Sequence, residues 1–197
     1  MKKILINLFF IFLITNSLAT EKKNIINSLE NINNLSFKFE QNINGNIENG
    51  ECTIKYPKKI FCKYNLSNNK ILVSNGNSIV IKTKSSYYVY PIEQTPLNLI
   101  LDKRFLLRKI KNSNERIIDD KYINFVFNEN ENEINLFFDK KNFDLIGWQT
   151  IDLYQNLNIT YLSNINKNLK LKKIYLNYQS LINLYCYIFF FKNFHPS

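Results

Sequence analysis

Residues 50–64 read GECTIKYPKKIFCKY, and this stretch decides the fold class. Residues 52–56 alternate apolar and polar side chains, which is the period of a strand with one buried face. Residues 57–59 interrupt the alternation with a proline and two lysines, and residues 60–64 then resume it. Two such arms around a short polar break predict a β-hairpin.

Strand patterns of the same kind occur on both sides of this hairpin. Residues 35–40 alternate upstream of it, and residues 71–81 predict a second hairpin around a turn that contains Gly76. An aromatic strand follows at residues 87–90. Further strand patterns occupy residues 122–127, 134–138, 145–152 and 158–162. The chain is therefore predicted to be mainly β.

Two segments have the spacing of helices. Residues 21–33 place their apolar side chains on one helical face. Thr95 and Pro96 predict a helix start, with the threonine as N-cap and the proline at the first helical position. Residues 106–110 either extend that helix or begin a strand. We predict an α+β domain in which short helices cover one strongly curved antiparallel sheet and leave an apolar concavity between the layers.

Composition excludes several function classes. The 197 residues suit one domain, and 26 Lys and Arg against 16 Asp and Glu give a net charge of +10. The lone histidine, His195, disfavours triad chemistry and multi-histidine metal sites. The adjacent Asp119 and Asp120 point to opposite faces of any strand, so they predict a solvated turn and not a hydrolytic pair. We expect a binding protein that has no catalytic activity, no cofactor and no metal.

The first residues predict export. Lys2 and Lys3 precede an apolar run that is shorter than the ~20 residues of a membrane span. Ser17 and Ala19 then provide the small-x-small motif of a signal-peptide cleavage site. We predict a signal peptide over residues 1–19, cleaved after Ala19, and therefore no nucleic-acid partner. The mature domain is predicted over residues 20–178. Residues 179–197 form an atypical apolar tail, which is a buried strand, a membrane-touching end or a frameshift product.

Five short motifs, in this order, resemble the LolA family of periplasmic carriers of outer-membrane lipoproteins. They are Phe39-Glu40-Gln41, Gly50 through Ile54-Lys55-Tyr56-Pro57, Ile71 through Gly76, Thr95-Pro96-Leu97-Asn98-Leu99-Ile100, and Leu145-Ile146-Gly147-Trp148-Gln149 with Asp152. The resemblance covers about residues 20–165 and implies an incomplete β-barrel covered by helices. It also implies a monomer whose hydrophobic cavity takes acylated lipoproteins. Its partners would be an inner-membrane ATP-driven transporter and an outer-membrane lipoprotein acceptor.

Two positions depart from the family pattern. Tyr56 stands where the family has an arginine that holds the lid to the barrel, and a tyrosine supplies one hydrogen-bond donor but no charge. Cys62 stands where the family has an aromatic residue. We therefore expect the lid to close less firmly, or to be held by another contact.

Strand periodicity gives the inward-facing positions, and the resemblance to the LolA family implies that they line a cavity beneath a lid. The expected cavity residues are Phe37, Phe39, Ile54, Tyr56, Ile60, Leu72, Tyr88, Phe125, Phe127, Leu136, Phe138 and Trp148. The expected lid residues are Pro96, Leu97, Leu99, Ile100 and Leu101. Leu99→Asp is predicted to block cargo uptake and to leave the fold intact. On general grounds such apolar stripes usually form a filled core, and only the resemblance favours a cavity.

Cys52 and Cys62 flank the turn of the first hairpin. A turn centred on Lys58 would make them diagonal neighbours on one face, with residue 52 opposite residue 64. An oxidising compartment allows a disulfide if a bulge or a shifted register brings the two Cα atoms within about 7 Å. Otherwise the two thiols are small apolar groups inside the barrel.

Two alternatives to a lipoprotein carrier remain. One is a non-catalytic adaptor or structural β-protein of the envelope with a filled core. The other is an acceptor similar to LolB, which the absence of a cysteine after Ala19 disfavours.

Overall fold

The strands form one open antiparallel sheet. The computed structural model describes residues 21–65, 69–129, 132–151 and 156–170. The sheet contains eleven strands, in the spatial order β6-β5-β4-β3-β2-β1-β11-β10-β9-β8-β7. Their bounds are β1 Asn34–Ile43, β2 Asn46–Lys55, β3 Lys59–Tyr64, β4 Ile71–Asn75, β5 Ser78–Lys82, β6 Tyr87–Pro91, β7 Glu115–Ile118, β8 Tyr122–Glu129, β9 Asn132–Asp139, β10 Leu145–Ile151 and β11 Leu157–Lys167.

The two halves of the sheet meet at its centre, where β1 pairs with β11 along most of its length. All other pairings join strands that follow each other in the chain, so each half is a meander. The described strands leave β6 and β7 as free edges. The result is an incomplete β-barrel, as the resemblance implied.

Three helices cover the concave face. The helix α1 occupies residues 21–30, a 3-10 turn occupies Ile92–Gln94, and α2 (Leu97–Leu101) and α3 (Lys103–Asn112) follow. Helix α1 buries Ile25 and Leu29, and α3 buries Phe105, Leu106 and Ile110, all in one cluster with the inner face of the sheet. The alternative of a strand at residues 106–110 is therefore wrong. Burial of these apolar stripes fixes both helices on the sheet.

The start of α2 differs from the prediction. Pro96 is the N-cap residue, and its side chain makes no cap bond. The Thr95 hydroxyl donates backwards to the carbonyl of Ile92, at 2.8 Å, and so closes the preceding 3-10 turn. The next helix has the expected kind of cap, because the Asp102 carboxylate accepts from the Phe105 N–H at 3.1 Å.

Two predicted segments lie outside the described residues. These are the signal peptide at residues 1–19 and the apolar tail at residues 179–197, so both stay predictions. Within the described ranges, none of the helices has the length and apolar character that a membrane span requires.

Candidate functional site: an apolar cavity under a short helix

A cavity of about 360 Å³ lies between the concave face of the sheet and α2. Its wall is mostly apolar. Leu72, Ile79 and Ile81 come from β4 and β5, Trp148 comes from β10, and Leu97 comes from the lid. The remaining lining residues are Gln41, Ile43, Tyr64, Lys70, Tyr90, Thr95, Pro96, Ile100, Thr150 and Asn158. This volume is at the lower end of the range for ligand pockets, about 300–1,000 Å³.

A smaller void of about 40 Å³ continues the cavity towards the first hairpin. Phe37, Phe39 and Ile60 line it together with the two cysteines. The edge of the Phe37 ring meets Trp148, with 6.4 Å between ring centroids. The indole therefore contacts both spaces, and it belongs to the only tryptophan of the chain.

The structure places ten of the twelve predicted cavity residues in two groups, and Tyr56 and Tyr88 lie elsewhere. Phe37, Phe39, Ile60, Leu72 and Trp148 line the two spaces. The inward-facing side chains of β8 and β9 instead fill the core beneath α1 and α3. These are Phe125, Phe127, Leu136 and Phe138, and Ile54 of β2 is buried in the same cluster.

Tyr88 lies on the expected face but at the rim. It pairs with Ile81 across β5 and β6, so its ring points to the concave side. The residue is nevertheless 50% exposed, because β6 is the edge strand and nothing in the described part of the chain covers it. Its ring stacks on Tyr90, with centroids 6.5 Å apart.

The short helix α2 carries the predicted lid residues. Pro96, Leu97 and Ile100 line the cavity, whereas Leu99 and Leu101 are buried in the surrounding core. The carbonyl of Leu101 accepts a hydrogen bond of 2.9 Å from the Lys58 N–H in the β2–β3 turn. The last residue of the lid is thus attached to the hairpin through the backbone.

The hairpin itself carries a disulfide between Cys52 and Cys62. The two residues are directly opposite each other, with Lys55 opposite Lys59, so the turn is centred on Pro57 and not on Lys58. The expected pairing of residue 52 with residue 64 is therefore wrong. Direct pairing brings the two Cα atoms to 4.1 Å, and no bulge is needed.

Tyr56 lies two residues before Lys58, whose N–H donates to Leu101 at the end of α2. Tyr56 is half-buried, but its hydroxyl is enclosed and has no hydrogen-bond partner in the described structure. Burial raises the pKa of this hydroxyl above the usual value for tyrosine. The nearby cation is Lys103, whose Nζ lies 5.9 Å from the centre of the Tyr56 ring. Lys103 also donates to the carbonyls of Glu30 and Ile32, at 3.0 and 2.9 Å, so it ties α3 to the end of α1.

One end of the cavity is polar. The Lys70 Nζ lies 2.8 and 2.6 Å from the two carboxylate oxygens of Glu48, and 4.2 Å from the centre of the Tyr64 ring. Burial, together with the charge of Glu48, raises the pKa of the Tyr64 hydroxyl. Beside them, the Gln41 side chain donates to Asn158 at 2.9 Å. Sequence reasoning missed this end, because its members come from strands and loops that are distant in the chain.

The acidic residues singled out in the sequence form a surface turn. Asp119 and Asp120 have positive φ values of 50° and 54° between β7 and β8, a conformation that Asp tolerates. Asp120 is paired with Lys140, and this hydrogen bond holds the pKa of its carboxyl below the usual value.

The sequence profile of one protein family, described as "Outer membrane lipoprotein carrier protein LolA", matches residues 30–175. None of the curated proteins matches the chain. Solved structures that are similar to it include the following three. LppX, a Mycobacterium tuberculosis lipoprotein, is 12% identical over 80% of this chain and 99% of its own (TM-score 0.46). LprF from Mycobacterium bovis is 12% identical over 80% and 96% (TM-score 0.44). A LolA superfamily protein from Nitrosomonas europaea is 8% identical over 79% and 97% (TM-score 0.41).

Proposed function

Because this chain belongs to the LolA family of outer membrane lipoprotein carrier proteins, we propose that it binds the acyl chains of lipoproteins in the cavity under α2. It would receive them from an inner-membrane ATP-driven transporter and release them to an acceptor at the outer membrane. The protein would act in the periplasm after removal of residues 1–19. It would perform no catalysis, since the carrier and binding character of the family favours a non-enzymatic role.

The observation that carries this proposal is the unfilled apolar space of about 360 Å³ between the sheet and the lid. The β8–β9 half of the concave face is filled by aromatic and aliphatic side chains, so the same fold can pack its interior completely. Around Leu72 and Trp148 it does not. Empty apolar volume lowers the free energy of unfolding. A protein with only a structural role would therefore be more stable without this space.

Acyl-chain burial supplies the driving force. Each methylene removed from water contributes about 0.8 kcal/mol, so one long chain gains several kcal/mol on entering the cavity. Release requires that part of this gain be offset. Displacing α2 to admit a larger ligand would break the bond between Lys58 and Leu101 and expose the apolar side of the lid. The cost of opening the lid would therefore set the affinity for cargo.

The test uses mature protein purified from periplasm and weighed by native mass spectrometry. A bound triacylated peptide supports the carrier. A second measurement uses the single tryptophan, since acyl chains brominated near their middle should quench Trp148 fluorescence when they fill the cavity. The alternative, an adaptor with a filled core, predicts three negative results. The purified protein would carry no acylated species, an environment-sensitive dye would not fluoresce with it, and Trp148 would not be quenched. The measured mass also checks cleavage after Ala19.

A further inference from the structure

The larger cavity has a single charged side chain among the described residues that line it, that of Lys70. Its partner Glu48 comes from β2, and the two side chains are only 19% and 22% exposed. The ring of Tyr64 lies 4.2 Å from the ammonium and shields it further. The polar end of the cavity thus holds a largely enclosed ion pair whose net charge is zero.

This pair treats neutral and anionic head groups differently. A phosphate that approached the Lys70 ammonium would come close to the Glu48 carboxylate, which lies within 2.8 Å of the same nitrogen. Glu48 already offsets the positive charge of the ammonium, so Lys70 cannot compensate for the hydration that a buried phosphate would lose, and the nearby carboxylate also repels the phosphate. A neutral carbonyl oxygen meets no such repulsion.

Hydrogen-bond donors for a neutral head group are present. A lysine ammonium has three N–H donors, and two of them are directed to Glu48, so one is left for a ligand. Asn158 accepts from Gln41 through its carbonyl oxygen, which leaves the Asn158 amide N–H groups available at the cavity wall. Ester and amide carbonyls are the groups that such donors fit.

Resting on the acyl-binding function proposed above, we propose that the Glu48–Lys70 pair selects acyl ligands with neutral ester or amide head groups and rejects phosphate-bearing lipids. Such selection matters for an acyl carrier, because phospholipids of the surrounding bilayers bear chains of the same kind. Apolar walls alone cannot distinguish the two ligand classes, since the walls contact only the chains.

The experiment compares two soluble lipids with identical chains, dioctanoylglycerol and dioctanoyl phosphatidic acid. Each displaces a neutral fluorescent acyl probe from the mature protein. We expect the wild type to bind the neutral lipid at least about tenfold more tightly, as repulsion by a nearby like charge requires. Glu48→Gln should bind phosphatidic acid about tenfold more tightly than the wild type does, since the lysine charge is then unopposed.

A matched control is Glu51→Gln. Glu51 lies on the same strand but is exposed on the outer face, opposite Lys38 and Lys63, and its substitution removes the same charge. It should keep the wild-type preference. Should Glu48→Gln fail to fold, Glu48→Ala removes the same carboxylate and keeps Lys70. It should likewise bind phosphatidic acid about tenfold more tightly than the wild type does, since the lysine charge is again unopposed.

The outcomes separate this inference from the proposed function. A wild type that binds the probe but shows equal affinity for both lipids, or a Glu48→Gln variant that keeps the wild-type preference, would overturn the selection by head group. A wild type that binds neither the probe nor either lipid would overturn the acyl-binding function itself.

Discussion

The backbone N–H of Lys58 donates to the carbonyl of Leu101, and this bond of 2.9 Å joins the turn of the first hairpin to the last residue of the lid. The Ser74 hydroxyl donates to the carbonyl of the same Lys58, at 2.9 Å, and so supports the turn from β4. The contact needs no arginine side chain. We propose that this backbone contact holds α2 in place of the family's arginine, where this chain has Tyr56.

Ser74→Ala should loosen this attachment. Ser74 is fully buried, and its loss removes the side-chain donor to Lys58, which should lower the free energy of unfolding by about 1 kcal/mol. If the same energy is lost from the closed lid, an acyl probe should dissociate about fivefold faster. Stopped-flow release of the probe measures this rate. Ser85→Ala, in an exposed turn, is the control, and equal release rates for the two variants would contradict the role of Ser74.

Leu97→Asp should abolish acyl binding with little effect on the fold. Leu97 is half-buried and lines the cavity, so an aspartate there places a charge against the acyl chain and should weaken binding at least tenfold, or about 1.4 kcal/mol. Titration of Trp148 fluorescence with acyl ligand measures the affinity. Gln94→Asp adds the same charge at an exposed position before the lid and should bind as the wild type does. A Leu97→Asp variant of unchanged affinity would exclude the lid role.

The structure changes the choice of residue for this experiment. Leu99, which the sequence favoured, is only 9% exposed and packs in the core. Leu99→Asp should therefore reduce thermal stability as well as binding, because it buries an unpaired carboxylate.

Removal of the disulfide should cost stability more than binding. Cys52→Ala/Cys62→Ala opens a loop with a sequence separation of 10, and we expect a loss of about 2–4 kcal/mol in the free energy of unfolding. Denaturant titration in a Cys186→Ser background, with and without reductant, measures it. The reductant should affect only the protein that retains both hairpin cysteines. A reductant-insensitive parent protein would show that the bond does not form.

Tyr56→Phe should stabilise the protein and reduce the loss of stability that accompanies a rise to alkaline pH. Its folded-state pKa is raised by burial, whereas the unfolded tyrosine ionises near pH 10. The unfolded state therefore loses this proton first, and stability present below about pH 10 falls as the pH rises.

The substitution removes this dependence and the unpartnered hydroxyl, with a gain of about 1 kcal/mol near pH 7. Urea titrations near neutral pH and above pH 10 measure both effects. Tyr161→Phe, at a ring that is 55% exposed, should leave the neutral stability unchanged. A Tyr56→Phe variant that is less stable than the wild type would show that the hydroxyl has a partner in solution.

Alternation of apolar and polar residues was sufficient to predict most strands, but not their ends. The pattern stops at Gly50, while β2 begins at Asn46 after a turn at Asn44 and Gly45, both with positive φ. Asn-Gly is a strong hairpin signal, and the polar residues that follow it obscured the strand. The strand β7 was missed because its four residues, Glu115–Ile118, are too few to show a period.

The sequence predicted on which face of the sheet each candidate site residue lies. It did not predict whether that residue lines a cavity or is buried in the packed core. Period two places Leu72 and Phe138 on the same side of the sheet, but it does not say what covers them. Helices α1 and α3 fill the space over Phe138, whereas the five residues of α2 leave the space over Leu72 open. Lys70 and Glu48 could not be predicted as neighbours, because their contact depends on the packing of β2 against the loop before β4.

The pairing of Leu35 with Lys167 at the centre of the sheet has a consequence for biogenesis. The first strand of the barrel obtains one of its two neighbours only when the last described strand has been synthesised. Until then β1 has one open edge, and the meander from β1 to β6 lacks half of the final sheet. Pairings between such distant segments form slowly. The nascent chain should therefore depend on protection from aggregation until β11 is available to pair with β1.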